Sequence, residues 1–383
     1  MFKKYIQKRL EKYVVAYFKK HPEVKLVVVA GSIGKTSSKV AIGTVLSERL
    51  RVRLHDGNHN TDVSAPLAIL GIEYPLNIKS IGAWLAVFKA ARQRINQPTD
   101  VDVVVQELGI DRVGEMAHFG TYLRPDIAVI SGIAPEHMEF FGSIEVVAQE
   151  ELTAANFSQL ALINRDDNEG RFADFLTNQA IDTYGTTAAA EYHFEIQDFS
   201  VEKGYTGNLI APEWQESVPA AIKVVGEHSL HPATAAVAVA IKLGLSPTEI
   251  VAGLAKVRAV SGRMNILRGV EGTTLIDDTY NSSPAAAKSA LQTLYSLQAP
   301  QRIAILGSMN ELGAMSQSAH EELGSFCDAN MLAWVVTIGE EAEKYLAPAA
   351  RARGCQVKSF KNAIEAGAFV HGVLEQGAII LAK

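Results

Sequence analysis

The stretch VVVAGSIGKTSSKVAIGTVL, residues 27–46, constrains the fold more than any other part of the chain. A β-branched run ends at a glycine, and helix-forming residues follow. This order is typical of a buried parallel strand that enters a helix through a tight turn. The backbone N–H groups and the positive end of the helix dipole make such a junction an anion site. The sequence therefore predicts an α/β fold with a site for phosphate.

The residues of this turn have the types that a nucleotide phosphate site requires. Gly31 and Gly34 permit a tight turn. Lys35 provides a cation for the outer phosphates, and the Thr36 hydroxyl can bind Mg²⁺. The strict P-loop pattern has a glycine five residues before Gly34, where this chain has Val29, so the motif is a shortened form. The alternative is an ordinary strand–helix turn with a surface lysine.

Length and charge narrow the classes of function. The chain has 383 residues, which favours two domains, and its net charge of −6 argues against a general nucleic-acid binder. Its two cysteines, Cys327 and Cys355, suit a reducing cytoplasm. No signal peptide or membrane span is recognisable in the sequence. We therefore expect a cytoplasmic protein.

The first 24 residues, MFKKYIQKRLEKYVVAYFKKHPEV, are basic and predict an amphipathic helix. One interpretation is a helix that makes weak contact with an anionic membrane surface. The other is a helix that packs its Tyr, Ile, Leu and Phe side chains on the domain behind it, which is the commoner arrangement.

Apolar runs alternate with helical patterns in the first half of the chain. The runs KLVVVAGS, VDVVVQELG, PDIAVISGI and QLALINRDD predict a parallel sheet with helices on both faces. Functional groups then belong at the carboxyl ends of these strands. Shorter, mixed segments in residues 192–226 predict antiparallel strands, and HPATAAVAVAIKLGL predicts a helix.

A second α/β pattern begins near residue 263, with TTLIDDTY, QRIAILGSM, AWVVTIGEE and GAIILAK as predicted strands. We place the boundary in the loop AVSGRMN. The predicted units are an N-terminal amphipathic helix (residues 1–24), a central domain (residues 25–262) and a C-terminal domain (residues 263–383).

Polar side chains at strand ends are the candidates for chemistry. Glu107 follows a strand and can complete the coordination of Mg²⁺ at Thr36, unless it is merely a solvated acid. His137 lies in a loop after another strand, where a lone histidine is more often structural. The polar loop DGNHNTDVSAP contains Asn58 and Asn60, which suit hydrogen bonds to a substrate or a plain turn.

Three further candidate residues lie in the second half of the chain. Arg263 follows a glycine at the predicted domain junction. An arginine that enters from another domain can neutralise charge on a transferring phosphoryl group, although structural ion pairing is the alternative. Asp277 and Asp278 follow a predicted strand.

Together these segments resemble the Mur ligase family, and within it the branch that adds D-alanyl-D-alanine to the UDP-N-acetylmuramoyl-tripeptide. The resemblance covers about residues 24–383, and several motifs in order are more specific than any one of them. The segments that carry it are GSIGKTSSK, GNHNTDVSAP, QELG, RPDIAVISGIAPEHMEFFGS, LINRDD, SGRMNILRG, LIDDTYNSSP and LGSMNELG.

The resemblance implies a three-layer P-loop central ATPase domain with a mostly parallel sheet, and a smaller Rossmann-like C-terminal domain. It also implies a ligase that uses ATP and Mg²⁺. In that reaction ATP phosphorylates a substrate carboxylate, an amine attacks the acyl phosphate, and an amide, ADP and phosphate result. The implied substrates are a peptide or sugar-peptide and an amino acid or dipeptide amine, with no nucleic acid.

The resemblance also implies roles for matching positions. Thr36 and Glu107 are the implied ligands of a Mg²⁺ between the outer phosphates, and His137 binds a second Mg²⁺. Lys35 and Arg263, together with His137, are the implied catalytic residues. The implied substrate-binding residues are Asn58, Asn60 and Lys383. The implied ATP-binding residues are Gly31, Ser32, Gly34, Lys35, Thr36, Ser37, Asn164, His228, Arg263 and Asp278.

Four features depart from the family's pattern. Only about 24 residues precede the first strand, so we expect the family's UDP-binding N-terminal domain to be missing, with a partner as its conceivable source. The motif GxHNxxN becomes GEHSLHP, with Ser229 and Pro232 in place of its asparagines. The acid of LGDMxELG becomes Ser308. Glu151 replaces a lysine that family members carbamylate, and it is either a metal ligand or a helix-surface acid.

We therefore interpret the chain as an ATP-dependent amide ligase that acts on a peptidoglycan-precursor peptide. One alternative is a ligase similar to folylpolyglutamate synthase. Another is a non-catalytic, nucleotide-binding relative that needs a partner.

Overall fold

The computed structural model describes residues 2–55, 57 and 59–383. These residues contain two β-sheets, one of nine strands and one of six. Helices pack on both faces of each sheet, and the predicted α/β class is confirmed.

The first sheet has the strand order β2-β3-β1-β4-β5-β6-β7-β8-β9. All pairs from β2 to β7 are parallel, and the last two pairs, β7 with β8 and β8 with β9, are antiparallel. Its strands are β1 (Lys25–Ala30), β2 (Val52–Leu54), β3 (Val103–Glu107), β4 (Ile127–Ile130), β5 (Leu160–Asn164), β6 (Ile181–Gly185), β7 (Tyr192–Ser200), β8 (Gly204–Ile210) and β9 (Val218–Ile222).

The second sheet has the order β10-β11-β15-β12-β13-β14, and only the β10–β11 pair is antiparallel. Its strands are β10 (Asn265–Arg268), β11 (Thr274–Asp277), β12 (Arg302–Gly307), β13 (Trp334–Ile338), β14 (Val357–Phe360) and β15 (Ile379–Ala382).

Thirteen α-helices are present in the described residues. They are α1 (Phe2–Lys20), α2 (Lys35–Leu46), α3 (Ser64–Leu70), α4 (Ile81–Asn96), α5 (Glu115–Tyr122), α6 (Met138–Phe141), α7 (Ile144–Asn156), α8 (His231–Lys242), α9 (Pro247–Leu254), α10 (Pro284–Ser296), α11 (Ser316–Phe326), α12 (Ala347–Ala352) and α13 (Ala363–Val373).

Alternation along the strands produces a core on each face of the first sheet. In β1, Val27 and Val29 pack with α2, α8 and α9, whereas Val28 and Ala30 pack with α1, α3, α5 and α7. Burial of both faces explains why this strand is a continuous apolar run rather than an alternating one. The result is the three-layer arrangement that the family resemblance implied.

Helix α1 buries one stripe of side chains at helical spacing, Ile6, Leu10, Val14 and Tyr17, on the domain behind it. Nothing in the described part of the chain has both the length and the apolar character of a bilayer-crossing helix. The division into units at residues 24 and 262 stays a prediction.

Candidate active site between the two sheets

The loop between β1 and α2, residues 31–34, depends on glycine. Gly31 and Gly34 have φ angles of 124° and 80°, which glycine adopts without the strain that a side chain brings. A Cβ atom on Gly31 would lie 2.5 Å from the Ser131 hydroxyl oxygen and 2.9 Å from the Gly132 nitrogen. The loop therefore packs directly against the segment that follows β4. We call residues 31–36 the phosphate loop.

The start of α2 fits an anion. Gly34 occupies the N-cap position, and no side chain caps the first turn. The buried Ser32 hydroxyl has no hydrogen-bond partner among the described residues. Uncapped N–H groups at a helix start, together with the helix dipole, attract negative charge. The residues present are therefore suited to a phosphate group.

Lys35 lies among acids at the phosphate loop. Its Nζ donates to the Gly31 carbonyl oxygen and lies 3.5 Å from Glu136 Oε2 and 4.0 Å from Glu151 Oε1. Burial by itself lowers the pKa of Lys35, but the carboxylates, chiefly those of Glu136 and Glu151, outweigh burial and hold that pKa above its ordinary value. Lys35 is thus a positive charge held beside the loop.

Glu151 extends from α7 to the same loop. Its Oε2 accepts a hydrogen bond of 2.7 Å from the Gly31 N–H, and the residue is 2% exposed. Burial raises the pKa of Glu151 to about 7, although the Lys35 charge and the Gly31 N–H oppose this rise. The interpretation of Glu151 as a helix-surface acid is therefore wrong, and its role as a metal ligand stays a prediction.

The two predicted ligands of the first Mg²⁺ are in contact. Thr36 Oγ1 donates to Glu107 Oε2 at 3.0 Å, and Asn60 Nδ2 donates to Glu107 Oε1 at 3.1 Å. Lys39 Nζ lies 3.6 Å from Glu107 Oε2, and both of these side chains are 4% exposed. A hydroxyl and a carboxylate are the hard oxygen donors that Mg²⁺ prefers, with phosphate oxygens and water as its other ligands. The residues present therefore fit Mg²⁺.

His137 lies where segments of the two units meet. It has a φ angle of 50°, and its Nδ1 is 2.6 Å from Glu311 Oε2, while its Nε2 is 3.7 Å from Asp111 Oδ1. Across residues 2–55, 57 and 59–383, no group of three His, Cys, Asp or Glu side chains could hold a metal ion. The predicted second Mg²⁺ site, His137 with Glu151, has only two protein ligands and stays a prediction.

Arg263 reaches the phosphate loop from the side of the second sheet. Its Nη2 lies 3.2 Å from Thr36 Oγ1, to which it donates a hydrogen bond. Its guanidinium lies over the ring of Tyr280, 4.3 Å from the ring centroid. A planar cation fixed in this way contacts the same hydroxyl that faces Glu107. An anion at the phosphate loop would therefore meet positive charge from both units.

Asp278 and Lys383 form an ion pair in the same cleft. Lys383 Nζ lies 2.8 Å from Asp278 Oδ2 and donates to the Asn281 carbonyl oxygen at 2.7 Å. Asp278 Oδ1 also accepts from the Met264 N–H at 3.1 Å. Burial raises the pKa of Asp278, although Lys383 opposes this rise. Both side chains thus have protein partners, and their predicted contacts with ribose and substrate stay predictions.

Asn164 and His231 organise the segment that follows β5. Asn164 Nδ2 donates to the Ser131 carbonyl oxygen and to Asp167 Oδ2, each at 2.7 Å. His231 lies between two carboxylates, with Nε2 3.2 Å from Asp166 Oδ2 and Nδ1 2.7 Å from Asp167 Oδ2. Burial lowers the pKa of His231, but the two aspartates outweigh burial and raise that pKa to about 9.

His228 is a neutral neighbour of this charged group. Burial and, to a smaller extent, the positive charge of His231 together lower the pKa of His228 to about 4. His228 therefore offers an uncharged imidazole to the cleft at neutral pH, which is consistent with its predicted place among nucleotide-binding residues.

Most of the predicted site residues line one cleft of about 740 Å³. Its walls come from the phosphate loop, from the segments after β3 and β4, and from residues 258–264 and 278–289. Every predicted site residue within the described chain lines it, except Gly31, Asn164 and Glu151. Asn58 lies outside the described residues.

The sequence interpretation missed several charged groups of this cleft. Lys39 lies one turn after Lys35 on α2, so helical spacing was a usable signal for its approach to Glu107. Glu136 precedes His137 in the same motif. The contacts of Glu311 with His137 and of His231 with Asp166 could not be predicted from local sequence, because the two residues of each pair are more than 60 positions apart.

Comparisons with known proteins find two matching family profiles and several relatives. The profile of the Mur ligase middle domain matches residues 29–240, and that of the Mur ligase glutamate ligase domain matches residues 262–383. The UDP-N-acetylmuramoyl-tripeptide–D-alanyl-D-alanine ligase of Bacillus subtilis is 27% identical over 319 residues, which cover 82% of this chain. The chain spans 63% of that protein's length.

Two solved structures share the fold. The MurF ligase of Thermotoga maritima, in complex with ADP, superposes with a TM-score of 0.77 at 22% identity, over 98% of this chain and 80% of that one. The folylpolyglutamate synthase of Mycobacterium tuberculosis superposes with a TM-score of 0.68 at 17% identity, over 97% of this chain and 92% of that one.

The two matched ranges contain the phosphate loop, Glu107, His137 and Arg263. The middle-domain profile alone matches more than half of the chain. The chain belongs to the Mur ligase family.

Proposed function

We propose that this chain is an ATP-dependent amide ligase that works through an acyl phosphate on a peptidoglycan-precursor peptide. The observation that carries the proposal is the convergence on Thr36 Oγ1, which touches Glu107 from the first sheet and Arg263 from the side of the second. The B. subtilis relative is named for a ligation of this kind, and the T. maritima structure holds ADP.

The chemistry that this site supports is phosphoryl transfer followed by acyl transfer. A substrate carboxylate oxygen attacks the γ-phosphorus of ATP, and ADP leaves. An amine nitrogen then attacks the acyl carbon, the C–O bond to phosphate breaks, and the amine loses a proton as the amide forms. Phosphoryl transfer is catalysed mainly by positioning and by charge stabilisation, because the protein forms no covalent bond itself.

Different residues of the chain bind the phosphates and the metal ions. The start of α2 and Lys35 hold the outer phosphates, and Arg263 adds charge from the opposite wall of the cleft. Thr36 and Glu107 are the proposed ligands of one Mg²⁺, which when bound neutralises phosphate charge. His137 and Glu151 are the proposed protein ligands of a second Mg²⁺.

The remaining predicted roles complete the proposal. His228 and Asp278 bind the nucleoside side of ATP, and Asn60 and Lys383 bind the substrate. Asn164 is fully buried and does not line the cleft, so its proposed part in ATP binding is to hold the segment after β5 in place. The substrates are a peptide or sugar-peptide with a free carboxylate and an amino acid or dipeptide with a free amine.

Phosphate release from ATP under different substrate pairs tests the proposal. UDP-N-acetylmuramoyl-tripeptide with D-alanyl-D-alanine should stimulate release strongly, and each compound alone should not, since amide formation needs both. Stimulation by a folate with glutamate instead would support the folylpolyglutamate-type alternative. Binding of ATP with no stimulated release by either pair, or by a panel of amino acids and dipeptides, would refute the ligase assignment.

A further inference from the structure

Helices α1 and α4 form one basic and apolar corner of the molecule. The centroids of the Tyr5 and Phe88 rings are 6.4 Å apart, and Lys20 Nζ donates to Asn96 Oδ1 at 2.9 Å. The two helices therefore run parallel, with both N-terminal ends at the same end of the pair. This corner has no part in the ligase proposal above.

Large apolar side chains are exposed at that end. Leu76 and Ile78, in the segment before α4, are 107% and 53% exposed, although Ile78 is held in place by a hydrogen bond of 2.9 Å from the Trp84 indole to its carbonyl oxygen. Six such side chains form what we call the α1–α4 patch: Phe2, Tyr5, Leu76, Ile78, Ile81 and Leu85. A concentration of exposed apolar residues of this kind marks an interaction site.

Positive charge surrounds the α1–α4 patch. Residues 2–20 contain seven basic residues and one acidic residue, and residues 74–99 contain four basic residues and no acidic one, in a chain whose net charge is −6. The single acid, Glu11, lies 2.7 Å from His118. The lysines Lys4, Lys8, Lys12, Lys79 and Lys89 are exposed. The rest of the chain therefore carries a net negative charge, whereas this corner attracts a negatively charged surface.

We infer that the α1–α4 patch docks on an anionic lipid surface. The charges complement acidic headgroups, and exposed apolar side chains can enter the boundary between headgroups and acyl chains. Lysine stems can lie along that boundary while their ammonium groups stay in water. Helix α1 already buries Ile6, Leu10, Val14 and Tyr17 on the protein, so docking uses its outer face without unfolding it.

The docked orientation has a consequence for the cleft. Lys3, in the first turn of α1, is part of the cleft lining. The lipid surface would therefore lie near this part of the cleft.

Sedimentation of the full chain with lipid vesicles tests the inference. We expect binding to phosphatidylcholine vesicles that contain phosphatidylglycerol, weaker binding at high salt, and little binding to phosphatidylcholine alone. Replacing Lys4 and Lys8 (Lys4→Gln with Lys8→Gln) should reduce partitioning about 25-fold, at about fivefold for each lysine near the surface. Replacing Leu76 and Ile81 (Leu76→Ser with Ile81→Ser) should reduce it at least about tenfold.

Matched controls lie on the second sheet's side of the molecule. Lys358 and Lys361 are exposed lysines, and Ile364 is 85% exposed. Lys358→Gln with Lys361→Gln, and Ile364→Ser, should bind vesicles as the wild type does. Equal losses of vesicle binding in the control and patch variants would overturn the inference. A wild-type chain that does not bind anionic vesicles would also overturn it. The second result would instead assign the patch to a protein partner.

Discussion

The charge of His231 should make the stability of this protein depend on pH in a specific window. His231 begins α8, and its side chain is 12% exposed between Asp166 and Asp167. We consider the replacement His231→Asn, which removes the titrating ring and leaves a polar side chain of similar size. The expected result is a difference in unfolding free energy between wild type and variant that shrinks as the pH rises.

The magnitude follows from the pKa of His231, which rises from an ordinary value of 6.5 to about 9 in the folded protein. At about 1.4 kcal/mol per pKa unit, this rise corresponds to about 3 kcal/mol. Because the folded-state pKa is raised, the full stabilisation is present below pH 6.5 and is lost as the pH rises through 9.

The ionisation of Asp166 affects the stability of the protein in a different pH range from that of His231. Burial alone raises the pKa of Asp166, but hydrogen bonds from His231 and from Thr186 outweigh burial and hold that pKa below its ordinary value of 3.8. The corresponding loss of stability occurs in acid, well below the window of His231.

Urea unfolding of wild type and His231→Asn at several pH values measures this difference. The exposed His371 of α13 offers a matched control, since His371→Asn should shift stability little at any pH. A wild-type advantage over His231→Asn that stays constant from pH 6 to pH 9.5 would refute the reasoning, because it would mean that the ring is not charged between the aspartates.

Three further predictions concern the site. Lys35→Ala should abolish ATP turnover while circular dichroism stays unchanged, because glycines and not Lys35 set the shape of the loop, and near-normal turnover would exclude the phosphate site. Arg263→Ala should lower kcat by about 10²–10³-fold, whereas Arg268→Ala on the exposed part of β10 should not. If Glu151 binds Mg²⁺, activity should not depend on added bicarbonate, and Glu151→Gln should raise the Mg²⁺ concentration that activity requires. An unchanged Mg²⁺ dependence would show that Glu151 is not a ligand.

Much of the fold was predictable because buried parallel strands are apolar on both faces. The runs that contain β1, β3, β4 and β5 all lie where the sequence predicted them. Strands β2, β6, β10 and β14 were not predicted. They are only three to five residues long and only partly buried, so they lack the uninterrupted apolar character that identifies the central strands.

The candidate site was predictable where its residues belong to local motifs. The glycines, Lys35 and Thr36 follow one another in one turn, and Glu107 ends a strand beside it. The partners that fix their charges were not predictable. Glu311 approaches His137 and Arg263 approaches Thr36 because both sheets face one cleft, and no sequence spacing encodes these contacts.

Oxygen transfer from the carboxylate substrate to phosphate tests the central claim most directly. The chain is given ATP, D-alanyl-D-alanine and UDP-N-acetylmuramoyl-tripeptide labelled with ¹⁸O in both oxygens of the carboxylate that reacts, and the released phosphate is analysed by mass spectrometry. An acyl phosphate requires one ¹⁸O atom in each phosphate, because the C–O bond breaks when the amine attacks. Phosphate that carries no ¹⁸O, or that is released equally without the amine and the peptide, would contradict the account.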